Sequence, residues 1–163
     1  MADEGAPIGF APVAAGEYPP GEALDKRIQC LFIGARIRRE VEAIREGMAK
    51  LAAGHRTRMA AFHERPLEAI DVEIHQSMLN SALQTARKTC AWDDESDIGQ
   101  DIRVLEAVRP VEDNVSTIVE TADRLLAEFK DTENRAIAAD PPLLRNVRRY
   151  AEYNATRARR EEK

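Results

Sequence analysis

Residues 104–129 read VLEAVRPVEDNVSTIVETADRLLAEF, and this stretch decides the fold class. Its apolar residues recur in alternating steps of four and three, which is the heptad pattern of helices that pack side by side with a left-handed twist. This seam consists of Val104, Val108, Val111, Val115, Ile118, Ala122, Leu125 and Phe129. Pro110 interrupts it, and proline removes a helical hydrogen bond. We therefore expect a helix over about residues 97–138 with a kink or short break at Pro110.

Three further segments have helical apolar patterns, over about residues 22–62, 66–91 and 141–160. The stripe of the first helix consists of Leu31, Ile37, Val41, Ile44, Met48 and Leu51. In the second helix, which starts at Pro66, we expect burial of Leu67, Ile70, Ile74, Met78, Leu83 and Ala86. In the last helix the apolar residues are Leu143, Leu144, Val147 and Ala151. The pattern predicts an all-α fold, an up-and-down bundle of three to four long helices with coiled-coil-like packing.

Residues 1–20 form a separate segment that precedes the helical bundle of residues 21–163. Its prolines and glycines forbid a helix and favour an extended arm. Two interpretations remain open: a disordered tail, or an arm that docks on its own bundle or on a partner. The candidate docking residues are Ile8, Phe10, Val13 and Tyr18.

The composition restricts the class of protein. The formal net charge of -5 argues against a general nucleic-acid binder, which normally has a basic surface. The chain has no run of the roughly 18 apolar residues that span a bilayer, and its start does not resemble a signal peptide. Cys30 and Cys90 are interpreted as reduced core residues. We expect a soluble cytoplasmic protein, for which the cytosolic face of a membrane and a large assembly are two candidate locations.

No residue pattern indicates catalysis, a cofactor or a metal. Phosphate-binding glycine loops are missing, and the histidines His55, His63 and His75 lack the Glu-x-x-His spacing of di-iron bundles. Asp71 and His75 share one helix face, where a surface ion pair is favoured over zinc because further ligands are missing. The acidic residues 93–97 lack the spacing of a calcium loop and are expected to cap the next helix. We predict that the chain is not an enzyme.

The last helix has a basic tail with two interpretations. As a solvated face it needs no partner, whereas as a functional patch it would contact anionic lipid or an acidic protein, so membrane contact is at most peripheral. The residues of this candidate patch are Arg145, Arg148, Arg149, Arg157, Arg159 and Arg160.

The first helix resembles the opening helix of the syntaxin N-terminal regulatory (Habc) domain. The resemblance rests on Leu31-Phe32, Ile37-Arg38, the stripe from Val41 to Leu51, and His55. A shorter match, Glu152-Tyr153-Asn154-Ala155-Thr156, is similar to the end of the third helix of that domain, and residues 117–133 are loosely similar to its middle helix. The chain departs from the family in having four predicted helices instead of three and in lacking a SNARE motif.

The resemblance implies a regulatory bundle in membrane traffic that binds a SNARE helix or a Sec/Munc-type regulator. Its mechanism would be occlusion, in which a groove between helices accepts a further amphipathic helix. The alternative is a structural coiled-coil subunit of a large multiprotein assembly or filament, because a heptad seam packs equally well within and between chains. Both functions require protein partners at helical grooves, and both allow homo- or hetero-oligomers.

Overall fold

The computed structural model describes residues 9–10, 20–54 and 66–139. Four α-helices occur in these ranges: α1 (Pro20–Ala52), α2 (Leu67–Thr89), α3 (Asp97–Ala107) and α4 (Val115–Ala139), the last preceded by a 3-10 helix at Glu112–Asn114. The described residues contain no strand, and an isolated β-bridge pairs Phe10 with Trp92. The prediction of an all-α fold is therefore confirmed. The predicted helix over residues 141–160 lies outside the described ranges.

Helices α1 and α2 pack against each other in opposite directions. Cys30 of α1 is bonded to Cys90 just after α2, and Glu40 lies beside His75 in the middle of both helices. Toward the other end, a Cβ atom on Gly47 would lie 2.5 Å from Cγ2 of Val72. Glycine at this position therefore lets the two helices approach more closely than any larger residue would allow.

Helices α3 and α4 complete the core. Ser96 caps α3, because its Oγ accepts a hydrogen bond of 3.0 Å from the backbone N–H of Gly99. Gln76 of α2 donates from Nε2 to the carbonyl oxygens of Leu105 and Val108, which attaches the end of α3 to α2. Arg45 of α1 bonds Asp123 of α4 at 2.9 Å. The four helices thus enclose one common interior.

Two of the predicted helices differ in extent from the helices of the structure. The stretch expected to form one helix over residues 97–138 is divided, with α3 ending at Ala107 and α4 beginning at Val115, and Pro110 lies in the connection. Helix α1 ends at Ala52, earlier than the expected end near residue 62. Gly54 follows in the left-handed region at φ +83°, and its N–H bonds the carbonyl of Leu51, a conformation typical of helix C-termini.

The cysteine prediction is wrong. Cys30 and Cys90 form a disulfide with a Cα–Cα distance of 5.6 Å across a sequence separation of 60. Both lie among apolar neighbours, as their sequence context indicates, but α1 and α2 bring them together at the same end of the helix pair. Because disulfides persist mainly in oxidising compartments, the cysteines no longer support a cytoplasmic location.

Candidate interaction surface

The predicted seam of residues 104–129 divides into a buried and a partly exposed half. On α4, Ile118, Ala122 and Leu125 are fully buried at 0% exposure and Phe129 at 1%. Val104, Val108 and Val115 are half-buried, whereas Val111 is 39% exposed. The part of the seam from Ile118 to Phe129 therefore fills the interior of this chain and offers no surface to an external partner.

The first-helix stripe is also internal. Its members Leu31, Ile37, Val41, Ile44, Met48 and Leu51 are all buried, and the last five belong to one hydrophobic cluster with residues of α2, α3 and α4. This stripe therefore offers no surface to an external partner.

Helix α2 turns a different face inward from the one that we expected. Its buried residues are Ala69, Val72, Leu79, Ala82, Leu83 and Ala86. Leu83 and Ala86 were expected there, but Ile74 and Met78 are 51% and 41% exposed, so their predicted burial is wrong. Leu67 and Ile70 are half-buried rather than buried. The alanine-rich face lies inward because small side chains allow α2 to pack closely against α1, where Gly47 is also required.

The misassigned residues form an apolar ridge on the outward side of α2. Leu67, Ile70, Ile74 and Met78 are spaced by three, four and four, so they lie along one side of the helix. Ile74 and Met78 are two of the three large apolar residues that are exposed in the described part of the chain. We call these four residues the outer ridge. The sequence contained the signal, because the pattern of α2 has two apolar faces, but it did not show which face is covered.

A polar contact borders the outer ridge. Nδ1 of His75 lies 2.7 Å from Oε2 of Glu40, whose side chain is only 9% exposed. The predicted surface ion pair between His75 and Asp71 is therefore replaced by a contact across the α1–α2 interface, and Asp71 is exposed. His55 and His63 lie outside the described residues.

A second polar contact, between Arg87 and Asp94, lies at the end of α2. Arg87 donates two hydrogen bonds to Asp94, from Nε at 2.9 Å and from Nη2 at 2.8 Å. This bidentate bond lowers the pKa of the Asp94 carboxyl below its usual value and raises that of Arg87. Burial raises the pKa of the neighbouring Glu106, an effect larger than the opposing one of Arg87. The expected capping role of residues 93–97 is filled by Ser96, with Asp97 in the first turn of α3.

One residue of the candidate docking arm lies against the bundle. Phe10 is 7% exposed, and its ring meets the ring of Trp92 edge to face with centroids 5.5 Å apart. The backbone N–H of Asp93 donates to the carbonyl of Gly9 at 2.8 Å. Ile8, Val13 and Tyr18 lie outside the described residues, as does the candidate basic patch from Arg145 to Arg160.

Within residues 9–10, 20–54 and 66–139, no three side chains of the metal-binding types come together. None of the helices described is long and apolar enough to cross a membrane. Comparisons with protein-family models, with curated proteins and with solved structures find no match to this chain.

Proposed function

We propose that this chain is a non-enzymatic helical interaction module that binds an amphipathic helix along the outer ridge of α2. The single observation that carries the proposal is the exposure of Ile74 and Met78, one helical turn apart, on a helix whose opposite face is fully packed. Large apolar side chains exposed next to one another mark interaction sites more often than isolated ones do. Recognition of a helix through apolar anchors at such spacing is a recurrent binding mode.

The composition of α2 defines the expected partner. Beside the outer ridge lies the exposed carboxyl group of Asp71, which directly follows Ile70. A partner helix with an apolar stripe and basic flanks complements both features, because opposite charges at the rim favour encounter and register. His75, beside the ridge, is held by Glu40 and gives the surface a fixed polar border.

The resemblance to syntaxin regulatory domains supports a more specific form of this proposal. In that form the occupant is a SNARE-type helix or a Sec/Munc-type regulator in membrane traffic, and binding occludes the helix from its other partners. Coiled-coil-like packing would then extend from the bundle to the bound helix. A cytoplasmic location, which this function requires, is compatible with a disulfide of the transient, redox-sensing kind.

The alternative function, a structural subunit of a large assembly, would place a second copy on the same ridge. Sedimentation of the purified chain separates the two functions. A monomer at all concentrations supports the interaction module, whereas self-association that is lost when Ile74 and Met78 become aspartate supports the structural subunit.

A matched pair of variants tests the use of the ridge. The double variant Ile74→Asp and Met78→Asp introduces two charges on the ridge. The control variant Asn80→Asp and Gln84→Asp introduces the same two charges, four residues apart, at exposed polar positions of α2 outside the ridge. We expect a partner from the native cell to be retained by the wild type and the control and to be lost from the ridge variant. Equal retention by both variants would exclude the outer ridge as the binding surface.

A further inference from the structure

The site that holds Phe10 lies at the end of the α1–α2 pair where the disulfide joins the two helices. Phe10, Cys30, Cys90 and Trp92 belong to the same buried cluster. Beneath the Phe10 ring lies Gly34 of α1, where an added Cβ would come within 3.6 Å of the ring atom Cε2. The Phe10 side chain is therefore enclosed by α1 on one side and by Trp92 on the other.

The backbone of residues 9–10 is held as closely as the ring. An antiparallel bridge pairs Phe10 with Trp92, and Gly9 accepts the hydrogen bond from the N–H of Asp93. Gly9 has φ +73°, and a Cβ on it would overlap the Trp92 ring. Only glycine fits here, because any side chain would both strain the backbone and displace the indole. The position of Trp92 thus decides whether this segment can bind.

Trp92 is in turn connected directly to the disulfide. Ala91, the single residue between Cys90 and Trp92, has φ +52°, and it is the one non-glycine residue in the left-handed region in the described part of the chain. Such a conformation is disfavoured for a residue with a Cβ atom and persists only where the surroundings hold it. On one side Cys90 is held by its bond to Cys30, and on the other Trp92 is held by Gly9 and Phe10. Loss of either attachment lets Ala91 relax and Trp92 move.

We propose that the Cys30–Cys90 disulfide is a redox lock on the Phe10 site, so that its reduction releases Gly9 and Phe10 from Trp92. A dithiol reductant supplies the chemistry: one thiolate attacks a sulfur of the disulfide, and its second thiol resolves the mixed disulfide. The reductant is oxidised to its own disulfide, and two electrons and two protons pass to the protein to give the thiols of Cys30 and Cys90.

Reduction of the disulfide and docking of Phe10 are coupled equilibria, so each must affect the other equally. Cys30 and Cys90 are 5% and 6% exposed, so a reductant reaches them only when the structure around them opens. Docking of Phe10 against Trp92 opposes that opening.

A purely structural disulfide would behave differently in one respect. Its reduction destabilises the fold through loss of the cross-link but leaves Trp92 in place in the molecules that remain folded.

Trp92 is the only tryptophan in the chain and therefore reports on this site alone. The experiment records its emission maximum and its quenching by acrylamide in the full chain, before and after treatment with dithiothreitol, at a temperature where circular dichroism shows unchanged helicity. Emission intensity is not used, because a neighbouring disulfide itself quenches tryptophan. We expect reduction to shift the emission to longer wavelength and to increase acrylamide quenching severalfold.

The variant Phe10→Ala, with Val111→Ala as a control at an exposed apolar residue, completes the test. Oxidised Phe10→Ala should already have the emission and quenching of the reduced wild type, and reduction should change them little further. Its disulfide should also react severalfold faster with dithiothreitol than that of the wild type or of Val111→Ala. Unchanged emission and quenching on reduction of the folded wild type would overturn the proposal, as would equal reduction rates for all three proteins.

Discussion

His75 and Glu40 join the outward side of α2 to α1 through a contact of 2.7 Å between Nδ1 and Oε2. The Glu40 side chain is nearly enclosed, while a third of the His75 side chain remains exposed. A carboxylate this enclosed requires a hydrogen-bond partner, because an unpaired buried polar group costs more than a hydrogen bond stabilises. The contact therefore joins the border of the outer ridge to α1.

This contact predicts energetic coupling between Glu40 and His75. Substitution His75→Ala should destabilise the chain by about 1–3 kcal/mol, because it leaves the enclosed carboxylate without its partner. In the background of Glu40→Gln the same substitution should cost less. Urea denaturation of the two single variants and the double variant measures the coupling. Additive effects would show that the two side chains do not interact in solution.

The close approach of α1 and α2 predicts an unusual response to substitution of Gly47. In most helix interiors Gly→Ala stabilises by about 1 kcal/mol. Here Gly47→Ala should destabilise the chain on the order of 1–3 kcal/mol, because the new Cβ meets Cγ2 of Val72 and forces the helices apart. Thermal melting checks the sign. The cost should fall when Val72→Ala removes the opposing methyl groups, and an equal cost in both backgrounds would contradict this packing.

The burial of the α4 seam predicts a large effect at Ile118 and a small one beside it. Ile118→Asp should cost several kcal/mol, enough to abolish cooperative unfolding, because it places an unpaired charge at a fully buried position. Thr117→Asp introduces the same charge at an exposed position and should leave the melting temperature nearly unchanged. Circular dichroism during heating compares the two variants. Similar melting of both would mean that the seam faces solvent.

The lowered pKa of Asp94 and the raised pKa of Glu106 predict that the two residues affect stability in opposite ways as the pH changes. The pKa of Asp94 is lowered by Arg87, so its ion pair stabilises the fold above the ordinary carboxyl range and is lost as the pH falls through roughly 4 and below. The pKa of Glu106 is raised by burial, so its favourable contribution is present at acid pH and is lost as the pH rises above that range.

Two substitutions separate these contributions. Asp94→Asn should cost about 0.2–1 kcal/mol at neutral pH, the usual value for a largely exposed ion pair, and nothing at low pH. Glu106→Gln should stabilise the chain at neutral pH and leave it unchanged at low pH. Urea denaturation across the pH range measures both. If the free energy of unfolding of both variants changed with pH in the same way, the predicted opposite effects of Asp94 and Glu106 would be wrong.

Much of the helical architecture could be predicted locally. Helical periodicity identified the apolar sides of α1 and α4, and proline indicated the breaks at Pro66 and Pro110, because both effects depend only on neighbouring residues. The end of α1 was harder to predict, since glycine is tolerated within helices and also ends them. Gly34 and Gly47 lie inside α1, whereas Gly54 follows its end.

The candidate site could not be predicted in the same way. Helix α2 has two sides that are apolar enough to be buried. The prediction from sequence placed Ile74 and Met78 on the inner side. The side with Ala69, Val72, Ala82 and Ala86 lies inward instead, because the distance between two packed helices depends on the residues of both. Gly47 of α1 also contributes to this orientation, because Val72 of α2 packs against it. The sequence of either helix alone does not show that these two residues meet.

The sequence by itself determined that the chain is helical, where its proline breaks lie and which residues line the inner faces of α1 and α4, since a helix repeats every few residues and its pattern is local. The tertiary structure alone decided that Cys30 bonds to Cys90, that Phe10 lies against Trp92 and that the outer ridge faces outward. Each of these relationships joins residues far apart in the chain, and their meeting depends on how closely whole helices pack.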